Sequence, residues 1–134
     1  MPMTLTRRFI FSAAHKLASP ALDAATSAAC YGPCERIHGH NYRMEVTVRG
    51  TVDPKTGFFG NVMELDRIVR ALVVDRCDHR TLNDVDLFQG VIVTMENIAQ
   101  VTWNAVDKPL AGIGMELTEV LVAETEEHWV RLTK

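Results

Sequence analysis

A thiol, a carboxylate and two imidazoles stand within seven residues in Cys34-Glu35-Arg36-Ile37-His38-Gly39-His40, and a third imidazole ends the upstream run Phe11-Ser12-Ala13-Ala14-His15. Three neutral imidazoles suit a catalytic zinc ion, which takes three protein ligands and leaves its fourth position to water or substrate. A thiolate beside such an ion can act as base or nucleophile toward a bound, polarised substrate. His38 and His40, two apart on a strand, point to the same side and can reach one ion. Gly39 between them leaves room for close approach of backbone or substrate. The same stretch allows a second arrangement: Cys30, Cys34, His38 and His40, spaced Cys-x3-Cys-x3-His-x-His, could close a structural zinc site. His15 would then be a bystander and the protein need not be an enzyme.

Two weaker signals lie downstream. In Asp78-His79 a carboxylate can orient a neighbouring imidazole and stabilise its protonated form, although a solvated loop pair has the same sequence. Glu124 ends the apolar run Glu119-Val120-Leu121-Val122-Ala123. It is either an exposed strand end or an acceptor for a flat, amidine-like heterocycle, where bidentate geometry gives specificity. Cys77 follows a helical apolar run and reads as packing.

Positioning these groups falls to elements legible from periodicity. Leu5 to Ala14 reads as a strand, with Leu5, Phe9, Phe11 and Ala13 on one face and His15 continuing it. Leu17 to Gly32 lacks a clear period and reads as a loop beside the site, with at most a short helical turn through Pro20–Ala25. His38 to Val52 reads as a second strand with Tyr42, Met44, Val46 and Val48 on the face of the two histidines. Asp53-Pro54-Lys55-Thr56-Gly57 is a turn, because proline fixes φ and glycine permits φ > 0. Val62 to Arg76 predicts a helix with a stripe of Leu65, Ile68, Val69, Leu72 and Val73. Thr94 predicts an N-cap for a second helix from Met95 to about Val106, with Glu96 in its first turn and Lys108-Pro109 at its end. Its stripe is Ile98, Val101, Thr102 and Ala105. Ile113 to Thr125 and Glu127 to Leu132 read as the last two strands. The order ββααββ predicts an α+β domain, residues 1–134, with helices on one face of an antiparallel sheet.

Composition narrows the function classes. The 134 residues are 47% hydrophobic and 23% charged, with net charge −3 and no basic block, which argues against nucleic-acid binding. No apolar run reaches membrane-spanning length. Met1-Pro2-Met3-Thr4 lacks the charged-then-apolar pattern of a signal peptide, so a cytoplasmic location is expected. Three cysteines do not make a disulfide framework. A domain of this size leaves much surface exposed, so self-association is expected.

Five segments occur in order that are together similar to one family: Phe11-Ser12-Ala13-Ala14-His15, Cys34…His38-Gly39-His40-Asn41-Tyr42, Asp78-His79-Arg80-Thr81-Leu82-Asn83-Asp84, Thr94-Met95-Glu96-Asn97 and Glu124-Thr125. The chain resembles the 6-pyruvoyl-tetrahydropterin synthase / 6-carboxy-tetrahydropterin synthase family from about Leu5 to Thr125. The resemblance implies the tunnelling fold, or T-fold, a ββααββ subunit whose sheets join into a barrel in a trimer, with two trimers stacked as a homohexamer. It implies zinc on His15, His38 and His40, and Cys34 as general base. Asp78 and His79 would complete a proton relay, in their own subunit or a neighbouring one. Glu124 would anchor the pterin ring, with Thr94 and Glu96 near that pocket. The implied substrate is 7,8-dihydroneopterin triphosphate, which loses a C–H proton and then triphosphate.

Spacing separates the family's branches. The biopterin-branch 6-pyruvoyl enzymes carry the cysteine two residues further upstream, whereas Cys34-x3-His38 resembles the carboxypterin enzymes of queuosine (7-deazaguanine) synthesis. Glu35-x2-His38 also resembles the folate-branch members that form 6-hydroxymethyl-dihydropterin. The combined pattern implies a second activity through Glu35, unless Glu35 is a solvated loop acid. The chain departs from the common pattern in a longer 17–33 segment, in Glu64 where many members carry Asp, and in the extra Cys30.

Overall fold

The computed structural model describes the whole chain, Met1–Lys134. Two long strands dominate it. β1 (Pro2–His15) and β2 (His38–Thr51) pair antiparallel along their full length, from Pro2 opposite Thr51 to His15 opposite His38. Side chains alternate along a strand. Phe9, Phe11 and Ala13 of β1 and Tyr42, Met44, Val46 and Val48 of β2 therefore bury on one face. His15, His38 and His40 fall on the same face at its open end. Beyond β2, β4 (Glu116–Ala123) and β5 (Trp129–Thr133) add antiparallel, with an irregularity opposite Thr47/Val48.

On the other side of β1 lies a strand absent from the ββααββ order. β3 (Arg80–Thr81) pairs parallel with Ala13 and Ala14, so the sheet runs β3-β1-β2-β4-β5 and is not wholly antiparallel. Two residues are too few to carry a periodic signal.

The helices cover the buried face. α2 (Val62–Val69) is capped by Asn61, whose side chain accepts the N–H groups of Met63 and Glu64. It runs on through a π-helical segment, Arg70–Val74, into a last turn, α3 (Asp75–Cys77). A wide turn holds an extra residue, and this one shifts the apolar face by one position. Leu65, Ile68, Val69 and Val73 bury as the period predicts, but Val74 at the end of the segment and Cys77 beyond it bury too, and Leu72 is only partly covered. Arg7 and Arg70 both bond Asp66, at 2.8 and 2.9 Å, and both guanidinium groups lie over the Phe9 ring, tying α2 to β1.

α4 (Met95–Ala111) starts at Thr94 as predicted, its hydroxyl accepting the Asn97 N–H, but passes through Pro109. Its last turn stays in place because Leu110 is fully buried and the Gly112 N–H reaches the Lys108 carbonyl. The buried stripe is Met95, Ile98, Ala99, Thr102, Val106 and Leu110, with Val101 and Ala105 only half-buried.

One further helix corrects the loop reading of residues 17–32. α1 (Ala24–Tyr31) begins at Asp23, whose carboxylate accepts the Thr26 N–H at 2.7 Å, and stops at Gly32, where φ is +53°. It buries no residue, so no hydrophobic stripe existed to betray it; alanine content and a capping aspartate carry it.

Ile98→Ala removes a fully buried side chain between α4 and the sheet and is expected to cost about 2–5 kcal/mol in urea unfolding. Asp23→Ala should fray α1 and leave the global midpoint within about 0.5 kcal/mol, because α1 is outside the core. A large global loss from Asp23→Ala would show that α1 is packed after all.

Candidate metal centre and active site

The open end of the β1–β2 ladder creates the site. His15 lies opposite His38, and Ala13 lies opposite His40, so three imidazoles converge from two adjacent strands. The ring centroids of His15 and His38 are 4.6 Å apart, those of His38 and His40 5.0 Å, and those of His15 and His40 5.2 Å. One nitrogen from each lies within 4.8 Å of the others. Small ring rotations would bring them to the roughly 3.3 Å between ligands that tetrahedral zinc bonds of about 2.0–2.1 Å set.

Outer hydrogen bonds select the ligating nitrogen. His15 Nδ1 is 2.7 Å from the Val93 carbonyl, and His38 Nδ1 is 2.7 Å from the Arg36 carbonyl. A carbonyl can only accept, so each Nδ1 carries the proton and each Nε2 presents a lone pair. His15 Nε2 and His40 Nε2 are buried with no hydrogen-bond partner. Burial, the largest influence on each, pushes both imidazoles below the ordinary value near 6.5, against the opposing charge of Glu124. Neutral imidazoles, orphaned inward-facing nitrogens and carbonyl-fixed rings together fit a divalent metal.

Cys34 lies in a 3-10 turn, Gly32–Glu35, just before β2. Its carbonyl accepts the Leu17 N–H at 2.8 Å, which fastens this turn beside the chain two residues beyond His15. The Cys34 thiol is free and half-buried, and Glu35 is half-buried in the same turn. Cys30 is exposed on α1, and the close donor cluster contains His15 and neither cysteine. The sulfur-containing closed site of Cys30, Cys34, His38 and His40 therefore does not form.

Glu124, one residue past the end of β4, borders the three histidines without belonging to their close donor cluster. Its oxygens lie 3.6 Å from His15 Nε2 and 3.8 Å from His40 Nε2. Tyr42 stacks on Phe11 beneath the histidines, fully buried, with its hydroxyl unpartnered and its ionisation suppressed by burial.

Asp78 and His79 stand elsewhere. They sit at the sheet edge beside Ser12: the Ser12 N–H donates to Asp78 at 3.0 Å, and the His79 N–H donates to the Ser12 carbonyl at 2.7 Å. The Ser12 N–H is also the main influence holding the Asp78 carboxyl below the usual carboxylate range. Asp78 also meets His79 Nδ1 at 3.0 Å. His79 takes a left-handed φ of +59°, and its ring is exposed. It lines a groove of about 450 Å³ with Ser12, Ala14, His40 and Asn41. Thr94 and Glu96 also stay outside the cluster. Thr94 caps α4 and Glu96 is exposed on its first turn, but adjacent Val93 supplies the carbonyl that orients His15.

Two supports escaped the sequence reading. Val93 acts through its backbone, for which side-chain identity gives no signal. Asn83 clamps Lys16 from both directions, its carbonyl accepting the Lys16 N–H and its amide donating to the Lys16 carbonyl, each at 2.9 Å. Its place in the polar segment Asp78–Asp84 marks it without showing what it holds.

His15→Ala is expected to abolish tight binding of one zinc per chain in a chelator competition, while Cys30→Ala keeps it; full retention by His15→Ala would refute the three-histidine centre. The buried imidazoles also set an acid limit. The unfolded chain binds more protons than the folded one below about 6.5, so stability of the metal-free protein is full above that pH and is lost as pH falls toward the depressed folded values. Its urea midpoint should drop between about pH 7.5 and 5.5. Asp78 and Glu116, held low, act only nearer pH 4 and do not contribute in that window. An unchanged midpoint would contradict neutral burial of His15.

Comparison with known proteins agrees with this geometry. The family described as 6-pyruvoyl tetrahydropterin synthase matches residues 4–134. The chain is 39% identical over 127 residues to a 6-pyruvoyl tetrahydrobiopterin synthase of Dictyostelium discoideum, covering 94% of this chain and 92% of that one. It is 34% identical over 116 residues to a putative 6-carboxy-5,6,7,8-tetrahydropterin synthase of Archaeoglobus fulgidus, covering 87% and 92%. The structure of Caenorhabditis elegans 6-pyruvoyl tetrahydropterin synthase superposes with TM-score 0.90 at 32% identity, covering 100% of this chain and 96% of that one. With its fold and its ordered motifs in agreement, the chain belongs to the 6-pyruvoyl tetrahydropterin synthase family and has its T-fold.

Proposed function

We propose that this chain is a zinc-dependent lyase that converts 7,8-dihydroneopterin triphosphate and one water to 6-carboxy-5,6,7,8-tetrahydropterin, with loss of triphosphate and acetaldehyde, in formation of a queuosine precursor. The observation that carries the metal-dependent part is the convergence of His15, His38 and His40 with their Nε2 atoms turned inward. The branch assignment rests on Cys34-x3-His38. A bound zinc ion would supply Lewis-acid charge to stabilise an enolate-like oxygen as the C–H proton leaves.

Cys34 would take that proton. The tether from its carbonyl to Leu17 holds its turn at the edge of the cluster, where a substrate side chain reaching the ion would pass. Glu124 would bind the amidine-like edge of the pterin ring through both oxygens, excluding rings that lack paired donors. Asp78 orients His79 for proton transfer. Because His79 lies at the β3 edge, outside the close cluster of the three histidines, we infer that the pair serves the site of a neighbouring copy. Self-association through the short β3 and β5 edges would bring it there.

A second reading has its own support. The Dictyostelium relative is named for 6-pyruvoyl formation and is more similar to this chain than the archaeal carboxypterin relative, 39% against 34% identity. Both routes need the same proton abstraction and triphosphate loss, so the metal centre does not separate them. The Cys34-Glu35 pair adds a third product, 6-hydroxymethyl-dihydropterin, for which Glu35 would be the base.

Mass spectrometry of products from zinc-loaded protein and 7,8-dihydroneopterin triphosphate decides among these. Carboxytetrahydropterin with acetaldehyde is expected; a pyruvoyl product would move the chain to the biopterin branch, and no turnover at full zinc occupancy would sink the synthase reading. Cys34→Ala should retain zinc and lose about 10²–10⁴-fold in turnover. Glu35→Gln should lower hydroxymethylpterin formation alone if that activity exists.

A further inference from the structure

No residue from Lys16 to Ile37 is fully buried, so core packing does not place the turn that carries Cys34. Hydrogen bonds have to. The Leu17 N–H holds the Cys34 carbonyl at 2.8 Å, and the residue just before Leu17 is gripped by Asn83.

Asn83 lengthens a strand pairing by means of its side chain. β3 sets Arg80 opposite Ala13 and Thr81 opposite Ala14. Carried two residues on, that register brings Asn83 level with Lys16. The backbone has by then entered the 3-10 turn Leu82–Asp84. The side-chain amide takes the place of a peptide group: its oxygen accepts the Lys16 N–H and its nitrogen donates to the Lys16 carbonyl, each at 2.9 Å. This double contact needs one acceptor and one donor on a single planar group, which an amide has and a carboxylate lacks. The footing of the grip is firm. Leu82 is fully buried, and Gln89 Nε2 donates to the carbonyls of Asn83 and Val85.

The histidines are held by other means. His15 is fixed by its place opposite His38 and by the Val93 carbonyl. Lys16 is the first residue past that ladder, and Leu17, the donor to Cys34, is the second. Loosening Asn83 therefore acts on the thiol's turn and spares the imidazoles.

We propose that Asn83 is the positioning residue for the base: through the Lys16–Leu17 backbone it sets where the Cys34 thiol stands beside a bound substrate. The inference rests on the reading of Cys34 as the base. A side chain with no contact to substrate thereby governs the rate of proton removal, because a displacement of about 1 Å at a reacting group can cost on the order of 10²-fold.

The three cysteines report the turn's position without turnover, since Cys30 is exposed, Cys34 half-buried and Cys77 buried. Zinc-loaded, full-length wild type, Asn83→Ala, Asn83→Asp, Leu17→Pro and the Asn83→Ala/Leu17→Pro double variant are labelled with iodoacetamide, and each cysteine peptide is followed by mass spectrometry. Asn83→Ala should label several-fold faster at Cys34, with Cys30 unchanged and Cys77 still protected. With 7,8-dihydroneopterin triphosphate it should lose about 10–100-fold in kcat, with KM and zinc content unchanged. Asn83→Asp keeps the acceptor and loses the donor, and should fall between the two. Leu17→Pro deletes the tethering N–H and should match Asn83→Ala, and the double variant should be no worse than either, because both changes cut one link. If Cys77 becomes reactive in Asn83→Ala, the fold has opened and the isosteric Asn83→Asp carries the comparison. Wild-type labelling of Cys34 in the Asn83 variants, zinc lost in step with activity, or additive losses in the double variant would overturn the proposal. Cys34→Ala separates the two readings. An active Cys34→Ala would overturn the base and the proposal together, whereas an inactive one beside Asn83 variants of full kcat would overturn the proposal alone.

Discussion

Everything at the site depends on one ladder of backbone hydrogen bonds. β1 and β2 pair from Pro2–Thr51 to His15–His38 without a slip. In a sheet, a one-residue shift turns every side chain to the other face. A slip here would send Phe9, Phe11 and Ala13 into solvent at the same moment as His15. The apolar core thus enforces the register that the metal centre requires. No contact among the histidines has to supply that precision.

The histidines are expensive guests in this core. A buried imidazole with an unpaired nitrogen costs free energy unless something satisfies it. The fold satisfies one side of His15 and of His38 with carbonyls of Val93 and Arg36, and leaves the other side of His15 open toward its neighbours. The Val93 carbonyl is itself fixed by the start of α4, where Thr94 caps the helix and Asn97 binds the Ile92 carbonyl at 2.8 Å. The helix that closes the core thereby also aims a ligand.

Much of this was legible in the sequence, for physical reasons. Period-two alternation with β-branched and aromatic residues exposed β1 and β2, and the parity of His15, His38 and His40 with Phe11 and Tyr42 placed all three on one face. Thr94 gave the start of α4 through its capping chemistry. The misses share a cause: they carry no periodic apolar pattern. α1 buries nothing, β3 has two residues, and the π-helical segment alters phase without altering composition. Pro109 misled because a proline near a helix end usually stops it, and here the burial of Leu110 outweighs the missing N–H. The place of His79 at the sheet edge, outside the three-histidine cluster, was invisible for a different reason, since motif order along the chain says nothing about which residues of one subunit the fold brings together.

The long excursion between the two paired strands has an evolutionary consequence. Residues 16–37 leave the ladder at His15 and return at His38, and the Leu17–Cys34 bond, the Asn83 clamp on Lys16 and the contact of the Arg36 carbonyl with His38 fasten the ends. Insertions or deletions inside β1 or β2 would destroy core and metal centre together, but length changes in the middle of this excursion, away from Lys16 and Arg36, spare the strand register and the carbonyl that orients His38. The acid–base apparatus on it, Cys34 and Glu35, can therefore be lengthened, shortened or exchanged by small genetic steps while the ion's surroundings stay constant. A single scaffold can diversify its products at the part of the chain whose length is least constrained.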